Sequence, residues 1–455
     1  MLEVDSQGTR NCVPVVDLHS HLGKEPVLDP SGRDSYRSTT LSDLIEFYEK
    51  MGHELVRRSQ ESSASILRVV STGKPTSSLL QKIVEKAPSA QMAGWLLDHA
   101  ITFPFNDALA AKTTPRFQKP NDRILLRTRD PHYGRIIPFC RVDPFDGKEA
   151  VKEVKRCVQL GARGLKLHPL SQHFVEKIRS DEVMDLLELS ASLDIPVIFD
   201  VANAGVGEDI AAVVEETKSR LTSDAGLKVI LGHFGFAYDS ETMHDLIQRP
   251  EFFADLSGCR GEDVSLFFHQ LIDHSGLSGI NKISYASDFN YFGVPQCADF
   301  IMYVLSRDFQ DLIGEENHLK SMQKVLGLNA LSLFAPYQSI LSSSPIAGRI
   351  WKISTEKLAN QIITASKDRT VSLRPLFLSY VNDADVTAWT LRKTNNSSFS
   401  FLTRSRKQDS WVLMSKDLSQ SSNLEKHIHT LIESETNNNL EKFDLNNAIC
   451  SGGGK

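Results

Sequence analysis

Short apolar, β-branched runs recur along the first 290 or so residues, each followed by a stretch with apolar positions at helical spacing. The runs cover 13–18, 100–105, 135–140, 164–168, 196–201, 228–231, 252–256 and 283–287. Several show little alternation, the pattern of parallel strands buried on both faces. Between them, helices are predicted over 146–160, ending at Gly161, and over 180–193, 208–221, 241–248 and 262–275. Lys166, Asp200, His233, Asp255 and Asp288 follow one another at intervals of 34, 33, 22 and 33 residues, and a βαβ unit takes roughly 30. Eight such repeats predict an α/β fold, a (β/α)8 TIM barrel. A doubly wound open sheet is the alternative.

One connection breaks the rhythm. Residues 22–99 separate the first two strands and contain helix patterns over 41–51 and 79–86 and a polar stretch over 58–63. A connection this long is usually functional or flexible, so it reads either as an insertion over the barrel mouth or as a helical decoration away from it. The barrel pattern stops near Pro336, and 339–344 reads as a linker. Beyond it, strand patterns over 349–353, 371–380, 386–393, 399–406 and 410–415 mix with helix patterns over 355–365 and 424–434. The expected organisation is a barrel over 1–338, a small C-terminal α+β module over 339–434, and a disordered Asn-rich tail over 435–455.

Composition narrows the class without naming a function. With 455 residues, 41% hydrophobic and 24% charged, the chain is globular and too long for one ordinary core. Lys and Arg number 51 against 57 Asp and Glu, a net charge of −6. No global basic field exists, which argues against nucleic acid as the main partner. A local basic cluster at the C-terminal hairpin, Arg392, Lys393, Arg404, Arg406 and Lys407, leaves open a nucleic-acid or acidic-partner surface beside the plainer reading of a charged edge. The six cysteines form no C-x-x-C pair, as suits reduced thiols. The first residues lack a signal-peptide pattern, and no apolar run approaches about 18 residues. A cytoplasmic homo-oligomer, a dimer in the first instance, acting on a small-molecule substrate and not on a membrane is expected.

The chemistry concentrates at the ends of the apolar runs. Asp17-Leu18-His19-Ser20-His21 closes the first run. Residues i and i+2 of a strand share a face, so His19 and His21 both point to the barrel mouth, where active sites of this fold lie. Two adjacent imidazoles are natural ligands for a divalent metal, although H-x-H alone also occurs as unrelated polar residues. Strand four ends with Lys166 and His168, strand five with Asp200 and then Asn203, strand six with His233, strand seven with Asp255 and strand eight with Asp288. Buried ionisable groups are costly unless paired or metal-bound, so five successive ionisable strand ends are hard to explain by packing. A second H-x-H, His427 and His429, falls in a helix pattern where i and i+2 do not share a face. No phosphate-binding glycine loop occurs.

These residues carry a resemblance. The segments 16–23, 102–106, 139–144, 160–169, 229–235, 285–289 and 325–334 together resemble the amidohydrolase superfamily, specifically the "amidohydrolase 2" branch with its aminocarboxymuconate-semialdehyde decarboxylase-like members, over about residues 13–336. The resemblance implies His19, His21 and Asp288 as metal ligands, Asp288 also holding or deprotonating the activated water, and His233 as a polarising or acid/base group. On strand five the family usually places a histidine ligand, whereas this chain has Asp200. Asp200 either ligates through oxygen or signals altered metal choice, weakened affinity or lost activity. Lys166 and His168 are candidates to compensate, and with Asn203 and Arg141 they are candidate substrate-binding residues. Arg260 is a further candidate for a substrate carboxylate, since Arg offers a bidentate fork. Arg163 reads rather as a surface group. The implied cofactor is a divalent metal, Zn(2+) first and Mn(2+) second. The implied function is hydrolysis of a C–N, C–O or lactone bond by a metal-activated water. The alternatives are non-oxidative decarboxylation on the same scaffold and a catalytically degenerate barrel serving as a binding or regulatory protein.

Overall fold

The computed structural model describes residues 2–6, 9–28, 34–62, 67–72, 96–105, 115–127, 136–221, 226–334, 349–354, 371–381, 384–393, 400–404 and 410–415. Strands β1 (Leu2–Ser6) and β2 (Thr9–Val13) precede the first barrel strand, β3 (Val16–Leu28), whose outer half pairs antiparallel with β4 (Asp34–Thr39). Helix α1 (Leu41–Glu61) follows, and then β5 (Arg68–Thr72), which joins β1 and β2 in a small antiparallel sheet.

The barrel strands continue with β6 (His99–Pro104), β7 (Ile136–Pro138), β8 (Cys140–Arg141), β9 (Leu165–Leu167), β10 (Val197–Asp200), β11 (Val229–Gly232), β12 (Phe252–Asp255) and β13 (Ile283–Ser284). All pair in parallel, in the orders β3-β6-β7 and β8-β9-β10-β11-β12-β13. β7 and β8 are two halves of the third strand, parted at Phe139. The Phe139 N–H donates to Thr102 O (2.8 Å), and the Cys140 N–H donates to Gly164 O (2.9 Å). One half therefore bonds to each neighbour. The last strand meets the first through Leu18 N–H to Tyr285 O (3.1 Å) and a parallel bridge between Ser20 and Phe289. Eight strands with helices between them make the (β/α)8 TIM barrel that the apolar rhythm predicts.

The helices obey their local signals. Ser180 and Ser240 stand at the N-caps of the helices Asp181–Ser192 and Glu241–Gln248, and Gly161 ends the helix Lys148–Leu160 in the left-handed conformation. The helix after strand five starts earlier than predicted, at Ala204–Arg220, because the Asn203 side chain caps it by accepting from Val206 N–H (3.1 Å).

The connection after strand one differs from expectation. The first strand runs on to Leu28 instead of ending near residue 18, and α1 is about twice the predicted length. The α1 face of Leu44, Phe47, Tyr48, Met51 and Leu55 is buried, and Arg58 pairs with Asp299 (2.5 Å) on the helix Val294–Val304 after strand eight. The expected helix over 79–86 lies outside the described residues.

Toward the C-terminus, β14 (Arg349–Ser354), β15 (Val371–Val381), β16 (Ala384–Lys393), β17 (Ser400–Arg404) and β18 (Ser410–Ser415) form an antiparallel sheet in the order β14-β18-β17-β16-β15. The linker over 339–344, the helices expected over 355–365 and 424–434, the turn at 394–398 and the tail over 435–455 lie outside the described residues. Among the described residues no helix is long and apolar enough to cross a membrane.

The barrel is sealed at its N-terminal end by the segment Lys324–Leu328 and the short helix Asn329–Ser332. The Asn329 side chain donates to Ile280 O (2.6 Å) and Ile283 O (2.7 Å) at the start of β13. Gly327 lies against the first strand, and a Cβ there would stand 2.6 Å from the Pro14 carbonyl oxygen. We expect Gly327→Ala to lower stability by about 1–3 kcal/mol, the usual cost of overpacking, when measured by urea unfolding. An unchanged midpoint would show that the two backbones separate freely.

Candidate metal and acid/base site

The ionisable strand ends converge at one end of the barrel. His19 and His21 leave β3 on the same face, with ring centroids 5.4 Å apart, and both are buried. His19 Nδ1 lies 2.9 Å from Asp255 Oδ2 at the end of β12. Asp255 is fully buried; burial alone would raise its pKa, but His19, His233 and Ser257 hold it well below the usual carboxylate range. An ionised carboxylate only accepts, so Nδ1 of His19 carries the proton and Nε2 is left as a lone pair. Burial, with the charge of Lys166, pushes His19 down to about 4, so the ring is neutral at pH 7. Burial, reinforced by His19 and Lys166, lowers His21 as well.

Asp288 faces these two rings. Its Oδ1 lies 3.2 Å from His21 Nε2 and 3.6 Å from His19 Nε2. Asp288 is buried, and its Oδ1 makes no hydrogen bond among the described residues; nor does His21 Nδ1. Burial pushes Asp288 up to about 7, against the pull of His233. Asp288 sits at φ 47°, the left-handed region, with its N–H bonded to His19 O (2.8 Å). His19, His21 and Asp288 each present one donor atom within 4.8 Å of the others and could hold a metal ion. Donors about 2.0–2.1 Å from a tetrahedral ion stand roughly 3.3 Å apart, close to the separations found. Two neutral imidazoles and an orphaned carboxylate oxygen are also the right chemistry for such an ion, so the residues fit it.

A second set of groups converges on Asp200 at the end of β10. Its Oδ2 is approached by Lys166 Nζ (3.1 Å), His233 Nε2 (3.2 Å) and His168 Nε2 (3.4 Å). Burial works against the ionised form, but Lys166, His168 and His233 together hold Asp200 well below the usual carboxylate range. Lys166 is fully buried; its Nζ also lies 3.3 Å from His19 Nε2 and 4.7 Å from the Phe103 ring centroid. Burial would lower His233, but Asp200, with Asp288 and Asp255, raises it to about 9. Its two nitrogens agree with a protonated ring. Nε2 faces Asp200, and Nδ1 lies 2.7 Å from Ser257 Oγ, whose own hydrogen goes to Asp255 Oδ1. Ser257, His233 and Asp200 thus have the order of a nucleophilic triad but not its chemistry, because the serine proton is directed to Asp255 and the hydroxyl is buried. Burial pushes His168 down to about 3.

The sequence-predicted residues therefore divide. His19, His21 and Asp288 come together as a donor triad, and Lys166, His168, Asp200 and His233 form the adjoining cluster. Among the described residues a second overlapping set, His19, His233 and Asp255, could also hold an ion, and Asp200 is in neither it nor the donor triad; its Oδ2 is taken by Lys166 and His233. Asn203 lies at a helix N-cap, where its side-chain oxygen is spent. Arg141 is fully buried and bonds Gln172 Oε1 (3.2 Å), Pro104 O (3.2 Å) and Ser171 Oγ (2.9 Å), so its guanidinium ties β6 to the loop after β9. Arg260 is exposed, over the ring of Phe292. Sequence reasoning gave no role to Ser257 or to Asp255, although Asp255 stands at a strand end like the others. Half-exposed aromatic rings also went unremarked. Phe236 stacks on His233 (centroids 4.7 Å apart), and Tyr291 meets His21 edge-on (5.6 Å).

An eight-stranded barrel with two histidines on its first strand and an aspartate just beyond its last defines a class of protein, a barrel with groups at the strand ends that could hold a cation. The family pattern described as "Amidohydrolase" matches residues 99–335, and the chain belongs to that family, whose members are enzymes. No curated protein matches the chain in sequence. Among solved structures it is similar to 2,6-dihydroxybenzoate decarboxylase from Rhizobium, at 15% identity and TM-score 0.44 over 71% of this chain and 99% of that one. It is also similar to 5-carboxyvanillate decarboxylase from Sphingomonas paucimobilis (14%, 0.41, 71% and 99%). A third is a putative 2-pyrone-4,6-dicarboxylic acid hydrolase from Pseudomonas putida (14%, 0.37, 72% and 99%).

Asp255 offers a test of the scaffold itself. Replacing it by Ala strands His19 Nδ1–H, His233 N–H and the Ser257 hydroxyl and N–H in a buried site. We expect Asp255→Ala to cost about 3–5 kcal/mol in chemical unfolding, because each buried donor left without a partner costs about 1–3 kcal/mol. A loss below about 1 kcal/mol, within the range of an ordinary hydrogen bond, would mean water replaces the carboxylate.

Proposed function

We propose that the protein is a metal-dependent hydrolase acting on a C–N, C–O or lactone bond of a small molecule, with His19, His21 and Asp288 holding the ion. The observation that carries this reading is the buried, partnerless Asp288 Oδ1 standing 3.2 and 3.6 Å from the Nε2 atoms of two neutral histidines. A borderline N/O donor set suits zinc first and manganese second. A divalent ion would supply acidity to a neighbouring water and polarisation of a carbonyl.

The chain's own groups supply the rest. Asp288 has a carboxylate oxygen facing the two imidazoles that can take a proton from an attacking water. His233, held protonated by Asp200, is the group to donate a proton to a developing oxyanion or leaving group. Asp200 acts here as the counter-ion that aims Lys166 and His233, rather than as a ligand. Lys166 and His168 are then placed to receive an anionic group of the substrate, His168 being the more accessible of the two.

A second reading, non-oxidative decarboxylation, is favoured by the half-exposed rings of Phe236 and Tyr291, stacked on His233 and set against His21. Flat aromatic surfaces beside the two histidines suit a planar unsaturated acid. Turnover of lactones and amides against aromatic or unsaturated acids by the metal-loaded protein separates the two.

Protein purified from zinc- or manganese-replete growth should contain about one divalent ion per chain by elemental analysis; none would refute the enzyme readings. His19→Ala and Asp288→Ala should each abolish both bound metal and turnover while leaving the barrel folded by circular dichroism. Retained metal in both would overturn the ligand assignment. Asp200→Asn should keep its metal and lose turnover by roughly 10²-fold or more, as for a disabled acid/base group. Loss of the metal instead would place Asp200 among the ligands.

A further inference from the structure

The first and last barrel strands meet over a carboxylate that no chemical step uses. Asp17, two residues before His19, is fully buried and accepts four hydrogen bonds. Its Oδ1 accepts from the backbone N–H of His19 (3.1 Å) and of Ser287 (2.9 Å). Its Oδ2 accepts from the Ser287 hydroxyl (2.6 Å) and the Tyr48 hydroxyl (2.7 Å). Both oxygens are thus spent inside the protein, and Asp17 belongs to neither metal-capable grouping.

Three of those donors come from the segments that carry the proposed ligands. The fourth, Tyr48, comes from α1, in the long connection that sequence alone could place either over the mouth or away from it. Around this bond α1 is pinned to the same junction. Phe47 packs on Phe289 (ring centroids 4.9 Å), Met51 Sδ accepts from the Tyr285 hydroxyl (3.5 Å), and Thr39 Oγ1, just before the helix, accepts from Asn290 Nδ2 (2.8 Å). Beyond the clamp, Asp288 N–H bonds His19 O (2.8 Å) and His21 N–H bonds Phe289 O (2.9 Å). Any slip between Asp17 and Ser287 therefore changes the separation of His19 and Asp288.

We propose that Tyr48 is a positioning residue of the metal centre: through Asp17 and Ser287 it holds the strand-one and strand-eight ligands at coordinating separation, which makes α1 a working part of the site. This rests on His19, His21 and Asp288 being the ligands. Outer groups that orient ligands typically contribute about 10–100-fold in metal affinity.

The test is a cobalt(II) titration of the metal-stripped full chain, read by visible absorption, which reports ligand geometry without any substrate. Tyr48→Phe removes one hydroxyl and little volume. It should weaken cobalt binding by about 10-fold or more and shift the absorption bands. Leu55→Ala, a buried change on the same helix, should lower thermal stability at least as much while leaving affinity within about 2-fold and the bands in place. Should Tyr48→Phe not fold, Ser287→Ala removes the other hydroxyl on the same carboxylate oxygen and is expected to read as Tyr48→Phe does. Wild-type affinity and bands in Tyr48→Phe, or equal changes in Leu55→Ala, would overturn the proposal and leave the ligand assignment standing. No cobalt binding by the unmodified chain would overturn both.

Discussion

Everything at the mouth of this barrel depends on the satisfaction of buried carboxylates. Asp255 receives His19, the backbone of His233 and both donors of Ser257, so one side chain orients groups from strands one, six and seven. Asp17 does the same for the junction of strands one and eight, and Asp200 for the lysine and histidines of strands four to six. In a low-dielectric interior an unpaired carboxylate is costly, so each of these residues forces its neighbours into one arrangement.

The placement of the carboxylates also divides the histidines by charge. His19 and His21 are neutral, because burial and the nearby Lys166 outweigh their acidic partners. His233, its ring centroid 4.6 Å from that of His19, is driven the other way because Asp200 meets it directly. Neutral and protonated imidazoles therefore stand side by side, so free lone pairs and a transferable proton are present together at one pH.

Much of this was legible in the chain. The apolar rhythm located all eight barrel strands, and the change from apolar to ionisable residues at their ends located the cluster. Period-two geometry was enough to put His19 and His21 on one face. What was not legible depends on contacts far apart in sequence. Asp255 and Asp17 look like any strand-end acid until their partners are seen. Asn203 and Arg141 have the right residue types for substrate contact, but the structure uses them for a helix cap and an inter-strand tie. The strands Leu2–Ser6 and Thr9–Val13 went unpredicted because a five-residue segment is too short for the alternation of Leu2-Glu3-Val4-Asp5 to stand out, and they are held by pairing with each other and with β5.

The seam at Asp17 and Ser287 joins residues 270 positions apart. Contacts of such separation are late events in folding, since the intervening chain must first be made and ordered. During synthesis His19 and His21 emerge early, yet they remain half a site until strand eight and the segment closing the barrel have left the ribosome. The His19–Asp288 pairing is thereby a register of completion: a chain cut short before strand eight keeps its two histidines but lacks the carboxylate that faces them.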